Sequence, residues 1–162
     1  MSRVGIFVDV ANVYYCISKK FPNRKLDYQK YVQATGKEAT YAAAYGTLMS
    51  DKVIAFITAL KHIGFQTFFR RGRIVNERML KVEWAVGLAV NAISKIDELD
   101  EYIIGSSDPE LIPLVDYLKS KGKIVHVFAC GINRGLKEHA NTFTEIEESV
   151  LEEESDVPAP VS

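Results

Sequence analysis

Asp9 closes the apolar run Val4-Gly5-Ile6-Phe7-Val8, and Asn12 follows three residues later. A second apolar run, Tyr102-Ile103-Ile104-Gly105, ends in Ser106-Ser107-Asp108-Pro109-Glu110. Each run reads as a buried strand that stops at a carboxylate. In an open α/β sheet, sites form at the carboxyl ends of strands, where the strand order reverses. If these two strands are neighbours, Asp9, Asp108 and Glu110 share one crevice. Crowded carboxylates repel, and a hard divalent cation relieves them. The chemistry this predicts is that of a bound divalent cation, with Asp9, Asn12, Asp108 and Glu110 as the candidate catalytic group.

Every one of these residues also has a structural role open to it. Asp9 suits a turn or a helix N-cap, and Asn12 either a cap or a group that orients water or holds the Asp9 loop. Ser106, Ser107 and Asp108 precede a helix, whose free amides suit phosphate and whose first turn equally needs a cap. Glu110 reaches the same ion or interacts only with the helix dipole. Glu83 and Asn91 fall eight residues apart in an apolar stretch. On one helix they lie near one face, about 12 Å apart, so at most one of them lines the site, and each equally suits the solvated edge of a mostly buried helix. Phe68-Phe69-Arg70-Arg71-Gly72-Arg73 interleaves aromatics with bases. That pattern fits stacking on bases and holding RNA phosphates, or an ordinary strand with a charged exit. There is no Gly-rich phosphate loop, no thiol metal cluster and no Gly-x-Ser-x-Gly turn.

The elements that must carry these residues alternate strand and helix, which predicts a three-layer α/β/α fold with a mainly parallel sheet. After the Val4–Val8 strand, a helix is expected from Asn12 or Val13 to Lys20. A short helix follows within residues 26–36. Tyr41 to Tyr45 is expected as a strand despite its alanines. Ser50 to Ile63 is an amphipathic helix closed by Gly64. Phe65 to Arg71 is a strand, with a polar connection to Arg78. Leu80 to Ile96 is expected as a helix buried on most sides. The second carboxylate strand leads to a helix from Pro109 to Lys121. Ile124 to Phe128 is a strand, Leu136 to Ala140 a short helix, and Thr142 to Ile146 a final strand or extension.

The chain has 162 residues, 48% hydrophobic and 25% charged, as expected for one soluble globular domain. No apolar stretch is long enough to span a bilayer, and the Met1-Ser2-Arg3 start does not read as a signal peptide. Cys16 and Cys130 lack ligand spacing and are expected as packing residues of a reduced, cytoplasmic protein. The net charge of -1 conceals an asymmetry. Residues 145–156 hold seven acids and no Lys or Arg, leaving 14 acids against 20 bases elsewhere. A basic body fits a polyanion, or is only a solvated surface. The acidic tail is expected as disordered, at its proline-bearing end above all.

Four segments resemble one family. Ile6-Phe7-Val8-Asp9-Val10-Ala11-Asn12 looks like the hydrophobic-Asp-x-x-Asn opening of NYN domains, the PIN-like group that includes LabA-like proteins. Ile104-Gly105-Ser106-Ser107-Asp108-Pro109-Glu110-Leu111-Ile112-Pro113-Leu114 resembles that family's Ser-Gly-Asp-x-Asp-Phe-x-Pro-Leu block. Lys121-Gly122-Lys123 resembles the segment before its last strand, and Leu88-Ala89-Val90-Asn91-Ala92 its Leu-Ala-Val-Asp helix. The resemblance implies a PIN-like, Rossmann-like domain over residues 1–146, an acidic tail over 147–162, and a metal-dependent ribonuclease ancestry.

The chain departs from the pattern at Ala85, Asn91 and Asn141, which stand where the family has Asp, and at Glu110 and Leu111. Two readings follow. In the first, Mg2+ or Mn2+ is held by Asp9 and Asp108, with Glu110 or Glu83 completing the shell. RNA, single-stranded by preference, is bound by Ser106, Ser107, Arg70, Arg71, Arg73 and Asn91. In the second, the domain has lost catalysis and binds RNA or a nucleotide, or regulates through a protein docked on its tail. A homodimer stays open, and a membrane is not expected.

Overall fold

The computed structural model describes residues 1–154. Six parallel strands form one sheet, β1 (Val4–Asp9), β2 (Ala39–Leu48), β3 (Gln66–Arg71), β6 (Glu101–Gly105), β7 (Ile124–Ala129) and β8 (Thr142–Glu145). Their order is β3-β2-β1-β6-β7-β8. A separate hairpin joins β4 (Arg73–Val75) to β5 (Arg78–Leu80). The chain steps outward from β1 to β3, then returns to lay β6 on the other side of β1. The order therefore reverses between β1 and β6, which pair directly from Val4↔Glu101 to Val8↔Gly105. This is the neighbourhood that the two carboxylate-terminated runs required.

Every residue of β1 and β6 is buried. Central strands of a parallel sheet are covered on both faces, so they read as unbroken apolar runs. Gly105 lets the two strands close up. A Cβ there would lie 2.8 Å from the Tyr31 hydroxyl and 3.0 Å from Val8 Cγ2. The alanines of β2 are a strand despite their helical propensity, because tertiary pairing overrides it. Ala43 and Ala44 face opposite cores.

Helices α1 (Val10–Lys20), α2 (Tyr28–Ala34) and α3 (Val53–Ile63) cover one face. They enclose a core of Val8, Ile17, Tyr31, Leu60 and Phe128. Helices α4 (Ala85–Ser94) and α5 (Ile112–Ser120) cover the other, around Phe7, Trp84, Leu88, Tyr102 and Leu118. The short α6 (Arg134–His139) precedes β8. Gly64 ends α3 at φ 119°, a left-handed conformation that glycine adopts without steric cost.

Several expectations need correction. Helix α1 begins at Val10 rather than Asn12, because Asp9 supplies the cap by accepting the Asn12 amide. The polar connection after Arg71 is the β4–β5 hairpin, whose last residue, Leu80, was expected to open the 80–96 helix. Helix α4 is shorter, and it is not buried on most sides: Val86 and Val90 are 75% and 64% exposed.

The cysteines also differ. Cys16 on α1 and Cys130 after β7 form a disulfide, with Cα atoms 5.7 Å apart, within the usual range. Spacing of 114 residues gave no hint of the pairing. Of the acidic tail, residues 147–151 pack on the domain. Val150 and Leu151 are buried, and Leu151 bridges to Leu26. The proline-bearing end lies outside the described residues. No helix among the described residues is long and apolar enough to cross a membrane.

Candidate active site

The crevice forms where β1 and β6 end side by side. Asp9 is the last residue of β1 and the N-cap of α1, and only 7% of it is exposed. Its Oδ1 accepts the Asn12 amide at 3.2 Å. Burial pushes the Asp9 carboxyl above its ordinary range. The Asn12 amide opposes that shift, and the charges of Asp108 and Glu83 reinforce it. Asp108 and Glu83 are thus both within electrostatic reach of Asp9.

Asp108 is placed by the loop after β6. Its amide donates to the buried Ser106 hydroxyl at 3.1 Å, and its carboxylate accepts the Glu110 amide at 2.9 Å, capping a short 3-10 turn over Pro109–Leu111. The two loops are tied together by Asn12. Its Oδ1 accepts both the Ser107 amide at 3.0 Å and the Ser107 hydroxyl at 3.2 Å. Asn12 is therefore a strap between the Asp9 and Asp108 loops. Ser106 and Ser107 are both used in fixing Asp108.

Glu83 reaches Asp9 by a route the sequence did not show. It lies on the irregular segment before α4, so it does not share a helix with Asn91 as expected. Two bonds to the end of β2 hold that segment. The Val82 amide donates to Thr47 Oγ1 at 2.9 Å, and the Trp84 indole donates to the Gly46 carbonyl at 2.9 Å. Gly46 and Thr47 follow Tyr45, which pairs in register with Asp9. Glu83 is exposed beside Arg70, Arg71, Arg73 and Lys81, which line a pocket of about 530 Å3 with it. Arg70 is stacked over the Trp84 ring, 4.3 Å from its centroid.

Other candidates are placed differently. Glu110 is exposed on the 3-10 turn and is not among the charges acting on Asp9. Asn91 donates to the Tyr45 hydroxyl at 2.6 Å and the Tyr41 hydroxyl at 3.0 Å, so its amide is committed to the protein. Asn141 accepts the Val125 amide at 2.8 Å near the amino end of β7, the edge of the sheet opposite the crevice. The aromatics among the arginines pack on other rings: Phe68, still exposed at one side, stacks on Tyr45, and the half-buried Phe69 meets Phe56 edge-on. Thr47 and Trp84 went unnoticed in the sequence, whereas Lys81, which follows the arginines in sequence, does join them in the pocket. Of the two missed residues, only Trp84, the sole tryptophan and adjacent to Glu83, carried any signal.

The donor set suits a hard cation, since carboxylate oxygens are the preferred ligands of Mg2+ and Mn2+. Among the described residues no group of three or more His, Cys, Asp or Glu side chains is close enough to hold an ion. Asp9 and Asp108 with water in the remaining positions is an arrangement typical of Mg2+, which keeps much of its hydration.

A family model described as NYN domain matches residues 3–147. A crystal structure of a protein of unknown function from Vibrio parahaemolyticus RIMD 2210633 is similar in fold. Its TM-score is 0.83 at 25% sequence identity, covering 93% of this chain and 96% of that one. No curated protein matches the chain.

Proposed function

We propose, given that the chain belongs to the NYN domain family, that it is a metal-dependent ribonuclease acting on single-stranded RNA at the β1–β6 crevice. The observation that carries this reading is the buried Asp9 carboxylate, opposed by Asp108 and Glu83 and opening beside an arginine-lined pocket. Asp9 and Asp108 would hold Mg2+ or Mn2+, with Glu83 at the edge. Such an ion supplies an activated water and stabilises charge on the phosphate.

The protein's own groups set the geometry. Asn12 fixes the separation of the two carboxylate loops through Ser107. Burial of Asp9 disfavours its charge until a cation approaches. Arg70, Arg71 and Arg73 grip backbone phosphates beside the crevice, and Trp84 pre-orders Arg70 for that contact. A ribonuclease of cellular RNA would act in the cytoplasm, where the thiol poise would set the state of the Cys16–Cys130 pair.

The test is cleavage of labelled oligoribonucleotides with Mn2+. Cleavage that disappears with chelator and in Asp9→Asn supports the enzyme. Cleavage that survives Asp9→Asn refutes this site. A second reading, RNA binding without catalysis, is favoured by the want of a third close carboxylate among the described residues. It predicts salt-dependent RNA binding with no cleavage in any metal, and a salt slope flattened by replacing Arg70, Arg71 and Arg73 with Ala.

A further inference from the structure

A second pocket, of about 670 Å3, opens between α1 and α3. We infer that it is a nucleotide subsite, taking one base and its phosphate from the RNA strand that runs through the crevice. This deepens the ribonuclease reading and rests on it for the identity of the strand.

The pocket's volume is in the range of small-ligand sites, about 300–1,000 Å3. Its wall is apolar and aromatic, with Val13, Ile17, Tyr28, Phe56 and Phe69 among the lining residues. Four cations, Arg24, Lys25, Lys52 and Lys81, line it against one carboxylate, Glu152. An apolar flat wall beside an excess of positive charge complements a planar base carrying an anionic phosphate.

Two exposed tyrosines supply the stacking surface. Tyr14 and Tyr15 are 58% and 49% exposed, an unusual solvent exposure for two adjacent large aromatics on one helix. The Lys81 ammonium sits 3.9 Å from the Tyr15 ring centroid, so a cation and a π-face are already paired in the pocket.

Continuity with the crevice identifies the ligand's source. Val10 and Ala11, the residues directly after Asp9, line the pocket. The charge of Asp9 also acts on the buried Tyr28 hydroxyl, another lining residue. Lys81 lines both this pocket and the arginine pocket, so the three surfaces are contiguous. A strand whose phosphate lies at Asp9 therefore has an adjoining nucleotide within reach of Tyr15 and Lys52.

The experiment is binding of a fluorescein-labelled oligouridylate to the full chain in chelator, read by anisotropy across salt concentrations. Tyr15→Ala should weaken binding about tenfold, the loss expected for one base–aromatic stack. Lys52→Ala should reduce the magnitude of the salt slope by about one. Both side chains are exposed, and circular dichroism of each variant verifies the fold. The four nucleoside monophosphates are titrated in parallel, with amide shifts of residues 10–17 as readout. RNA binding that neither variant alters overturns the subsite and leaves the ribonuclease reading standing. Monophosphates that shift those amides while the oligomer fails to bind support the pocket and remove RNA as its source. Silence from both probes, or a response only to an acidic peptide, overturns the assignment.

Discussion

Replacing Asp9 by Asn should stabilise the protein while abolishing its response to divalent cations. Asn retains the side-chain oxygen that accepts the Asn12 amide, and Asn and Asp are equally good N-caps. The change removes three penalties borne by the carboxylate: burial, the charge of Asp108 and the charge of Glu83. It gives up the attraction of an anion to the start of α1, worth about 0.3–1 kcal/mol. Relieving strained functional sites typically yields about 0.5–2 kcal/mol. For a domain of this size, that is a rise of about 2–6 °C in Tm.

The sign of the pH dependence follows from the raised carboxyl. A folded-state value above the unfolded one destabilises the protein at neutral pH. The penalty fades as pH falls through the raised value and is gone below the ordinary aspartate range near 3.8. The gap between wild type and Asp9→Asn should therefore be widest near pH 7 and close toward pH 4. Metal acts oppositely. Mg2+ at ten times its dissociation constant adds about 1.4 kcal/mol to the wild type only. Melting curves with and without metal, from pH 4 to 7, measure all of this. A lower Tm for Asp9→Asn at pH 7 without metal would refute the reasoning, as would an equal metal response in both proteins.

Asn12→Ala leaves the Ser107 amide and hydroxyl without their shared acceptor, and urea unfolding should show a loss of about 1–2 kcal/mol. An unchanged midpoint would show that the strap is idle. Glu101, 6% exposed, is held down to about 2 by its bonds to His126, Ser2 and Lys37. It contributes at most about 3 kcal/mol, present above the ordinary value of 4.5 and lost as pH falls toward 2. Glu101→Gln should flatten the acid limb of the stability curve, and an unaltered limb assigns it elsewhere. Reduction of Cys16–Cys130 opens a loop spanning 114 residues and should lower stability by about 4–5 kcal/mol in the chain-entropy picture. A Tm indifferent to dithiothreitol, or two titratable thiols in the native protein, counts against it.

The strands that carry the crevice were legible because burial on both faces leaves an unbroken apolar signature, as at Val4–Val8 and Tyr102–Gly105. Their adjacency was only a condition in the sequence, and the pairing of β1 with β6 meets it. What escaped was every relation made across the sheet. Glu83 approaches Asp9 through Thr47 and Gly46, which precede it by more than thirty residues. Asn91 looks like a metal ligand's replacement until Tyr41 and Tyr45 are seen to claim its amide. Asn12 has the residue type of both a cap and a strap, and only the Ser107 contact distinguishes them. The β4–β5 hairpin escaped for a local reason. Its turn uses Asn76 and Glu77 at φ 51° and 63°, and a glutamate in that conformation is not a recognised turn signal.

The central place of β1 has a kinetic consequence. It is the first strand in the chain, yet one of its edges pairs with β6, about a hundred residues later. During synthesis that edge waits for the whole of β2, β3 and α4 to emerge, with a row of free amides and carbonyls along an apolar strand. Parallel pairings at such separation close slowly, because the loop entropy precedes the contact. The rate-limiting event in folding should be the docking of Tyr102–Gly105 against Val4–Val8, the same event that first brings Asp9 and Asp108 together. The candidate crevice is thus assembled only when β6 docks on β1, in the slow step itself.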